Sequence, residues 1–221
     1  MPLPAKIHPY LVSFIKLDFV EQNMATGLYG LGRQSLQLGL SYLQKVDAIS
    51  IAREEILRLA SETDQSVALS VWGNMGPTIL QFEQSPIPVL VYLRVGTVMS
   101  LVNTATGLAF SAYMPAKLIE GMLKSEPLRF GGSEETAKMP WDRVEEALID
   151  VRRRGLSRAV SLTVQGLNAF GAPVFNHSSQ VTMAVTITGP DSHFDADWDS
   201  PIAKLARDCA NTISARIGYR E

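Results

Sequence analysis

Leu101-Val102-Asn103-Thr104-Ala105-Thr106-Gly107-Leu108-Ala109-Phe110 is the stretch on which the fold turns, a strand end that runs through small residues into a helix. The helical reading extends over Thr104–Met114 and resumes over Ala116–Ser125. Before it lie three runs rich in β-branched and aromatic residues, Ser66–Trp72, Thr78–Phe82 and Val89–Arg94. Gly73-Asn74-Met75-Gly76-Pro77 and Ser85-Pro86-Ile87-Pro88 separate them, so antiparallel strands with tight connections are expected. After it, residues 126–140 read as a polar loop. Trp141–Arg154 reads as an amphipathic helix with Trp141, Val144, Leu148 and Val151 inward, ended by Gly155. Leu167–Phe175 and Gln180–Thr188 form a hairpin around Asn176-His177-Ser178-Ser179. Ser200-Pro201 then supplies the cap and first-turn proline of a last helix, with Ile202, Leu205, Cys209, Ile213 and Ile217 inward. Strands bracketed by helices make an α+β domain of sensor type.

Towards the start, Pro2, Pro4 and Pro9 crowd together. Ile7, Leu11, Phe14 and Ile15 share one helical stripe, and Pro9 fits the first position of a short helix. The turn-rich Gln22–Gly27 stretch then suggests a two-stranded turn. From Gln34 to Glu62 the apolar residues keep helical spacing with a break at Asp47–Ser50, which predicts two successive helices.

Composition narrows the function classes. The 221 residues are 46% hydrophobic and 19% charged, which excludes wholesale disorder. Twenty Lys+Arg against 22 Asp+Glu give a net charge of −2, so any nucleic-acid contact must be local. No apolar run approaches the roughly 20 residues of a membrane span. With one cysteine and no secretory pattern, a protein of the reducing cytoplasm is expected. His8, His177 and His193 are too scattered for a zinc site.

Motifs for catalysis are lacking as well. No nucleophile and base fall in a recognisable arrangement, and no phosphate-binding glycine loop or cofactor motif occurs, so neither an enzyme nor a cofactor is expected. Asp191, Asp195, Asp197 and Asp199 crowd into nine residues but lack the glycine turn and distal glutamate of a calcium loop. They read as a solvated connection, and Cys209 as a buried, inert thiol. The remaining signal is Thr104–Phe110. Amides at Ala105, Thr106 and Gly107 would emerge from a helix start that favours an anion. Thr186 and Thr188, two apart on one strand, face the same side of the sheet and can complete a pocket with Met99 and Leu167. Each threonine alone is equally an ordinary strand residue.

The order and spacing of Leu3-Pro4, Leu11, Phe19-Val20-Glu21-Gln22, Thr26-Gly27-Leu28-Tyr29-Gly30-Leu31-Gly32, Thr104–Phe110, Gly166–Val174 and Ala184–Pro190 resemble the IclR family of bacterial transcription regulators. The resemblance spans almost the whole chain. It implies a partial winged helix-turn-helix at 1–33, a linker helix at 34–47 and a GAF-like effector-binding domain at 48–221, whose antiparallel sheet is flanked by helices. By the same resemblance the protein is a DNA-binding regulator of operator DNA, a homodimer or a dimer of dimers, controlled by a small organic acid. The effector site maps to Thr104, Ala105, Thr106, Ala169, Thr186 and Thr188, with Val91, Met99 and Leu167 as apolar lining. DNA contacts map to Lys6, His8, Tyr10, Ser13 and Lys16.

Some positions depart from the family pattern. Ala105 and Leu108 stand where a more glycine-rich stretch and a lysine are usual, an acidic residue near Ala159 is absent, and His8-Pro9 replaces the usual His-Arg. The chain also begins at the turn before the recognition helix. Without the two preceding helices, Leu11, Phe14, Ile15 and Phe19 would each forgo roughly 1.5–3 kcal/mol of burial. Two readings follow from the sequence. Either a longer regulator is represented by a shortened sequence, or a shortened protein senses a metabolite or joins mixed oligomers with complete homologues, without binding DNA itself.

Overall fold

The computed structural model describes residues 7–87 and 93–220, with backbone alone at 43–45. The chain divides into two compact units, 1–47 and 48–221. In the first, α1 (His8–Lys16) carries Pro9 in its opening turn, where the missing N–H has no role, and Ile7 is its cap. Phe14 and Ile15 are exposed, Leu11 and Phe19 half-buried. β1 (Val20–Gln22) and β2 (Tyr29–Leu31) pair antiparallel, and Asn23 Oδ1 organises their turn by accepting from the Ala25 and Thr26 amides. α2 (Arg33–Lys45) is tied back to this hairpin by the Ser35 hydroxyl, which donates to Phe19 O at 2.6 Å, and by the Arg33–Asp18 ion pair.

The second unit begins with α3 (Ala48–Thr63), then β3 (Ser66–Gly73) and β4 (Gly76–Glu83). α4 (Ala105–Ser111), α5 (Ala116–Leu123), the single turn α6 (Glu134–Ala137) and α7 (Trp141–Arg154) follow. β5 (Ser157–Val160), β6 (Leu167–Phe175), β7 (Val181–Pro190) and α8 (Pro201–Arg216) complete the unit. The five strands form one antiparallel sheet in the order β4-β3-β7-β6-β5. Its central strands are buried on both faces. Val67, Leu69, Phe170, Val185 and Ile187, all 0% exposed, point away from α4. α3 and α8 pack on the sheet there, α8 through Ala203, Ala206, Ala210 and Ile213, and the small alanines let its axis approach closely. Beyond α4, the α7 residues Val144, Leu148 and Val151 close a second core with Leu101, Leu108 and Ile119.

Several sequence expectations need correction. Most of the expected Val89–Arg94 strand, 89–92, lies outside the described residues, and only its last two residues, Leu93 and Arg94, are seen to belong to no strand. β5 was not anticipated, because Ser157–Val160 is too short to show alternation and its Arg158 dilutes the apolar signal. The polar stretch 126–140 holds a 3-10 turn at Glu126–Leu128 and α6, whose Ser133 and Thr136 form a reciprocal capping box. On α8, Cys209, Ile213 and Ile217 are buried as expected, whereas Ile202 and Leu205 are only half-buried and Ala203, Ala206 and Ala210 are buried beside them.

Candidate effector cavity

Strand register brings the predicted residues together. Ala68 sits opposite Thr186 and Thr186 opposite Gly171, while Thr188 faces Ala169 and Ala169 faces Ala159. Side chains repeat every second residue, so all of these share the face on which α4 lies. Gly171 makes that approach possible: a Cβ there would come within 2.5 Å of Ala105 O and 2.6 Å of Ser157 Oγ. Ser157 Oγ instead shares its one hydrogen between Ala105 O at 2.6 Å and Gly171 O at 3.0 Å, pinning the start of α4 to β5 and β6. Gly107 does the same on the other side, where any Cβ would run into Ser100 O.

Between α4 and the sheet lies a cavity of about 50 Å³ that is partly open to solvent. Met99, Thr104, Ala105, Thr106, Leu167, Ala169, Thr186 and Thr188 all line it. Val91, expected beside them, lies outside the described residues. Ala68, Ile79, Leu93, Phe130, Ala159, Thr163 and Val164 complete the walls. None of the described lining residues carries a charge. Ala68 was predictable as the cross-strand neighbour of Thr186. Phe130 was not, since only the parallel bridge between Met99 and Phe130 brings it in.

The polar groups of the cavity are mostly spoken for. Thr104 Oγ1 donates to Ser100 O at 2.7 Å and accepts from Gly107 N at 3.0 Å, which corrects the expectation of three unmatched amides to two, at Ala105 and Thr106. Thr188 Oγ1 donates to Asn168 O at 3.0 Å, and Thr163 Oγ1 to Asn103 O at 2.6 Å. Thr106 and Thr186 share one hydrogen bond at 2.7 Å. One hydroxyl hydrogen of that pair therefore remains available to a ligand.

The other candidates are placed as follows. His8, Tyr10, Ser13 and Lys16 are all exposed on α1, with the Ser13 hydroxyl donating back to Pro9 O; Lys6 lies outside the described residues. Asp191, Asp195, Asp197 and Asp199 are exposed, and the last three are organised by short turns in which a carboxylate accepts the amide two residues on. Among the described residues, no group of three His, Cys, Asp or Glu is arranged to hold a metal ion. His193 and His177 are surface residues, His193 bonded to Ser192. Cys209 is 3% exposed, and burial pushes its thiol up to about 12. Among the described residues, no helix is long and apolar enough to cross a membrane.

Comparison with known proteins gives one consistent answer. The family model described as the bacterial transcriptional regulator IclR C-terminal domain matches residues 40–215. The glycerol operon regulatory protein of Streptomyces coelicolor is 30% identical over 213 residues, 96% of this chain and 82% of that protein. The transcriptional regulator KipR of Bacillus subtilis is 26% identical over 96% of this chain and 84% of its own length. Among solved structures, Pseudomonas aeruginosa HmgR superposes with a TM-score of 0.86 at 33% identity, covering 99% of this chain and 86% of its own. The Agobacterium tumefaciens repressor BlcR, at 23% identity and a TM-score of 0.75, covers 100% of this chain and 87% of its own and shares the fold.

Proposed function

Because the chain belongs to the IclR family, whose members are transcriptional regulators and not enzymes, we propose that it is a DNA-binding regulator controlled by a small organic acid held in the cavity between α4 and the sheet. The cavity itself carries the reading. Its described walls are uncharged and mostly apolar, yet it meets three unspent donors: the Ala105 and Thr106 amides and one hydroxyl of the Thr106–Thr186 pair. A carboxylate accepts such donors and needs no cation when two or three converge on it. Ile79, Met99, Phe130 and Leu167 then suit an acid with an apolar body.

Control requires that the acid bind one arrangement of the homo-oligomer better than another, since only differential affinity shifts an equilibrium. The shift would alter the spacing of the helices that meet operator DNA in the dimer or dimer of dimers. His8, Tyr10, Ser13 and Lys16 are the proposed DNA contacts, and their exposure along α1 supports that role. The proposed organisation keeps 1–33 as the DNA-facing part, 34–47 as linker and 48–221 as sensor.

A mobility-shift titration on DNA from around its own gene tests both halves. A complex that forms with the chain and dissociates or tightens when a short aliphatic or aromatic acid is added fits the proposal; a complex indifferent to every such acid refutes effector control. One observation favours a second reading. No residue of α1 is buried, and Phe14 and Ile15 lie open to solvent. A sensor that acts through mixed oligomers with homologous regulators, without holding DNA itself, fits that surface. Mixed oligomers that fail to retain the DNA would favour it.

A further inference from the structure

Beneath the cavity lies a buried ion pair that effector binding by itself does not call for. Glu126 is 0% exposed and its partner Arg129 is 5% exposed, and the two meet at 3.2 Å. Arg129 also donates to Met75 O at 2.9 Å and Met122 O at 3.0 Å, fixing it to the turn after β3 and to the end of α5. The Glu126 carboxylate accepts the Leu101 amide at 2.9 Å on one oxygen and the Ser100 hydroxyl on the other. A paired, saturated carboxylate of this kind is costly to bury and costly to unpair.

The network continues from the ion pair to the cavity. Ser100 Oγ accepts from Asn103 N, and Ser100 O accepts from Thr104 Oγ1, the cap of α4. The Asn103 side chain donates to Gly131 O at 2.7 Å, and Asn103 O receives the Thr163 hydroxyl from the loop at the cavity wall. Phe130, adjacent to Arg129, donates its amide to Val98 O, while its carbonyl receives Ser100 N. Thus Met99, Thr104, Phe130 and Thr163, which line the cavity from three separate segments, all hang on one carboxylate and its guanidinium.

Resting on the reading of this cavity as the effector site, we infer that Glu126, Arg129 and Ser100 are positioning residues that set which acids the cavity admits. They touch no ligand. They hold Met99 and Phe130 at a fixed distance from the sheet, and that spacing limits the width of the acid's apolar body. Loosening the network widens the slot and relaxes discrimination by size, while the donors at Ala105, Thr106 and Thr186 stay in place.

The test is calorimetric titration of the intact chain with benzoate and 2-naphthoate, two monocarboxylates that differ by one fused ring. The unaltered chain should favour benzoate. Ser100→Ala leaves the ion pair in place, and it should shrink that preference by about tenfold, the order of discrimination a shaped apolar pocket supplies. Asn103→Ala, which frees Gly131 without touching the ion pair, should act in the same direction and guards against poor folding of the first variant. A change in the ratio of the two affinities is the readout, because a general loss of stability weakens both acids alike. Equal weakening of the two acids, or an unchanged ratio in both variants, overturns the positioning role and leaves the effector site standing. Failure of the unaltered chain to bind either acid overturns the effector reading and this inference with it.

Discussion

Replacing Gly171 by alanine probes the contact on which the cavity depends. The new methyl would sit 2.5 Å from Ala105 O, 2.6 Å from Ser157 Oγ and 2.8 Å from the Ala105 carbonyl carbon, and two of these three atoms belong to backbone. Overpacking of this kind costs about 1–3 kcal/mol. The clash also displaces the Ser157 hydroxyl from Ala105 O and Gly171 O, which costs a further ~1 kcal/mol. Against this, alanine restricts the unfolded chain and returns about 0.4–1 kcal/mol. The net loss is about 1–3.6 kcal/mol, or a fall of roughly 2–14 °C in the unfolding midpoint of a domain this size. Thermal and urea unfolding followed by circular dichroism measure it. An unchanged or raised midpoint would show that α4 yields without penalty and that the close approach does not define the cavity.

Thr186→Val keeps the shape of the side chain but leaves the Thr106 hydroxyl without its partner. Acid binding should weaken about tenfold or more, at a stability cost near 1 kcal/mol; calorimetry separates the two. Thr188→Val removes only the donor to Asn168 O, so stability should fall by about 1 kcal/mol with a smaller effect on binding; if neither valine variant changes acid affinity, the site is misplaced. Arg129→Met leaves Glu126 buried and unpaired, and should cost about 3–5 kcal/mol in urea unfolding. Cys209 is held protonated by burial, with its pKa raised from 9.0 to about 12. Its contribution to stability is complete below pH 9 and declines by about 1.4 kcal/mol per pH unit as the pH rises towards 12. Cys209→Ala should flatten that limb, and the native thiol should resist alkylation at pH 8.

Much of the cavity was legible because strand periodicity fixes which side chains share a face. Thr186 and Thr188 could be placed together from their spacing alone. Thr104 could be placed at the entry to a helix, although its hydroxyl proved to be the helix cap rather than a spare group. Boundaries marked by glycine or proline, such as Trp141–Arg154 before Gly155 and α8 after Ser200-Pro201, fell where local chemistry put them. What local pattern does not carry was missed. Phe130 and the Glu126–Arg129 pair act through contacts across the domain, and two charged residues in a polar stretch read as solvated until their partners at Ser100, Leu101 and Met75 are known. On α8 the eye is drawn to Leu205 and Ile202, whereas close packing selected the alanines beside them.

The strand order β4-β3-β7-β6-β5 also has a kinetic side. The floor of the cavity is assembled from an early hairpin and a late one, and where they meet Gln65 bonds to His193, 128 positions further on. Closing so long a loop is slow compared with forming either hairpin alone. During synthesis, therefore, β3 and β4 wait with the Ala68 face uncovered until β7 has been made. On the proposed function, a nascent chain can hold no effector before that moment, and control by the acid begins only with the finished domain.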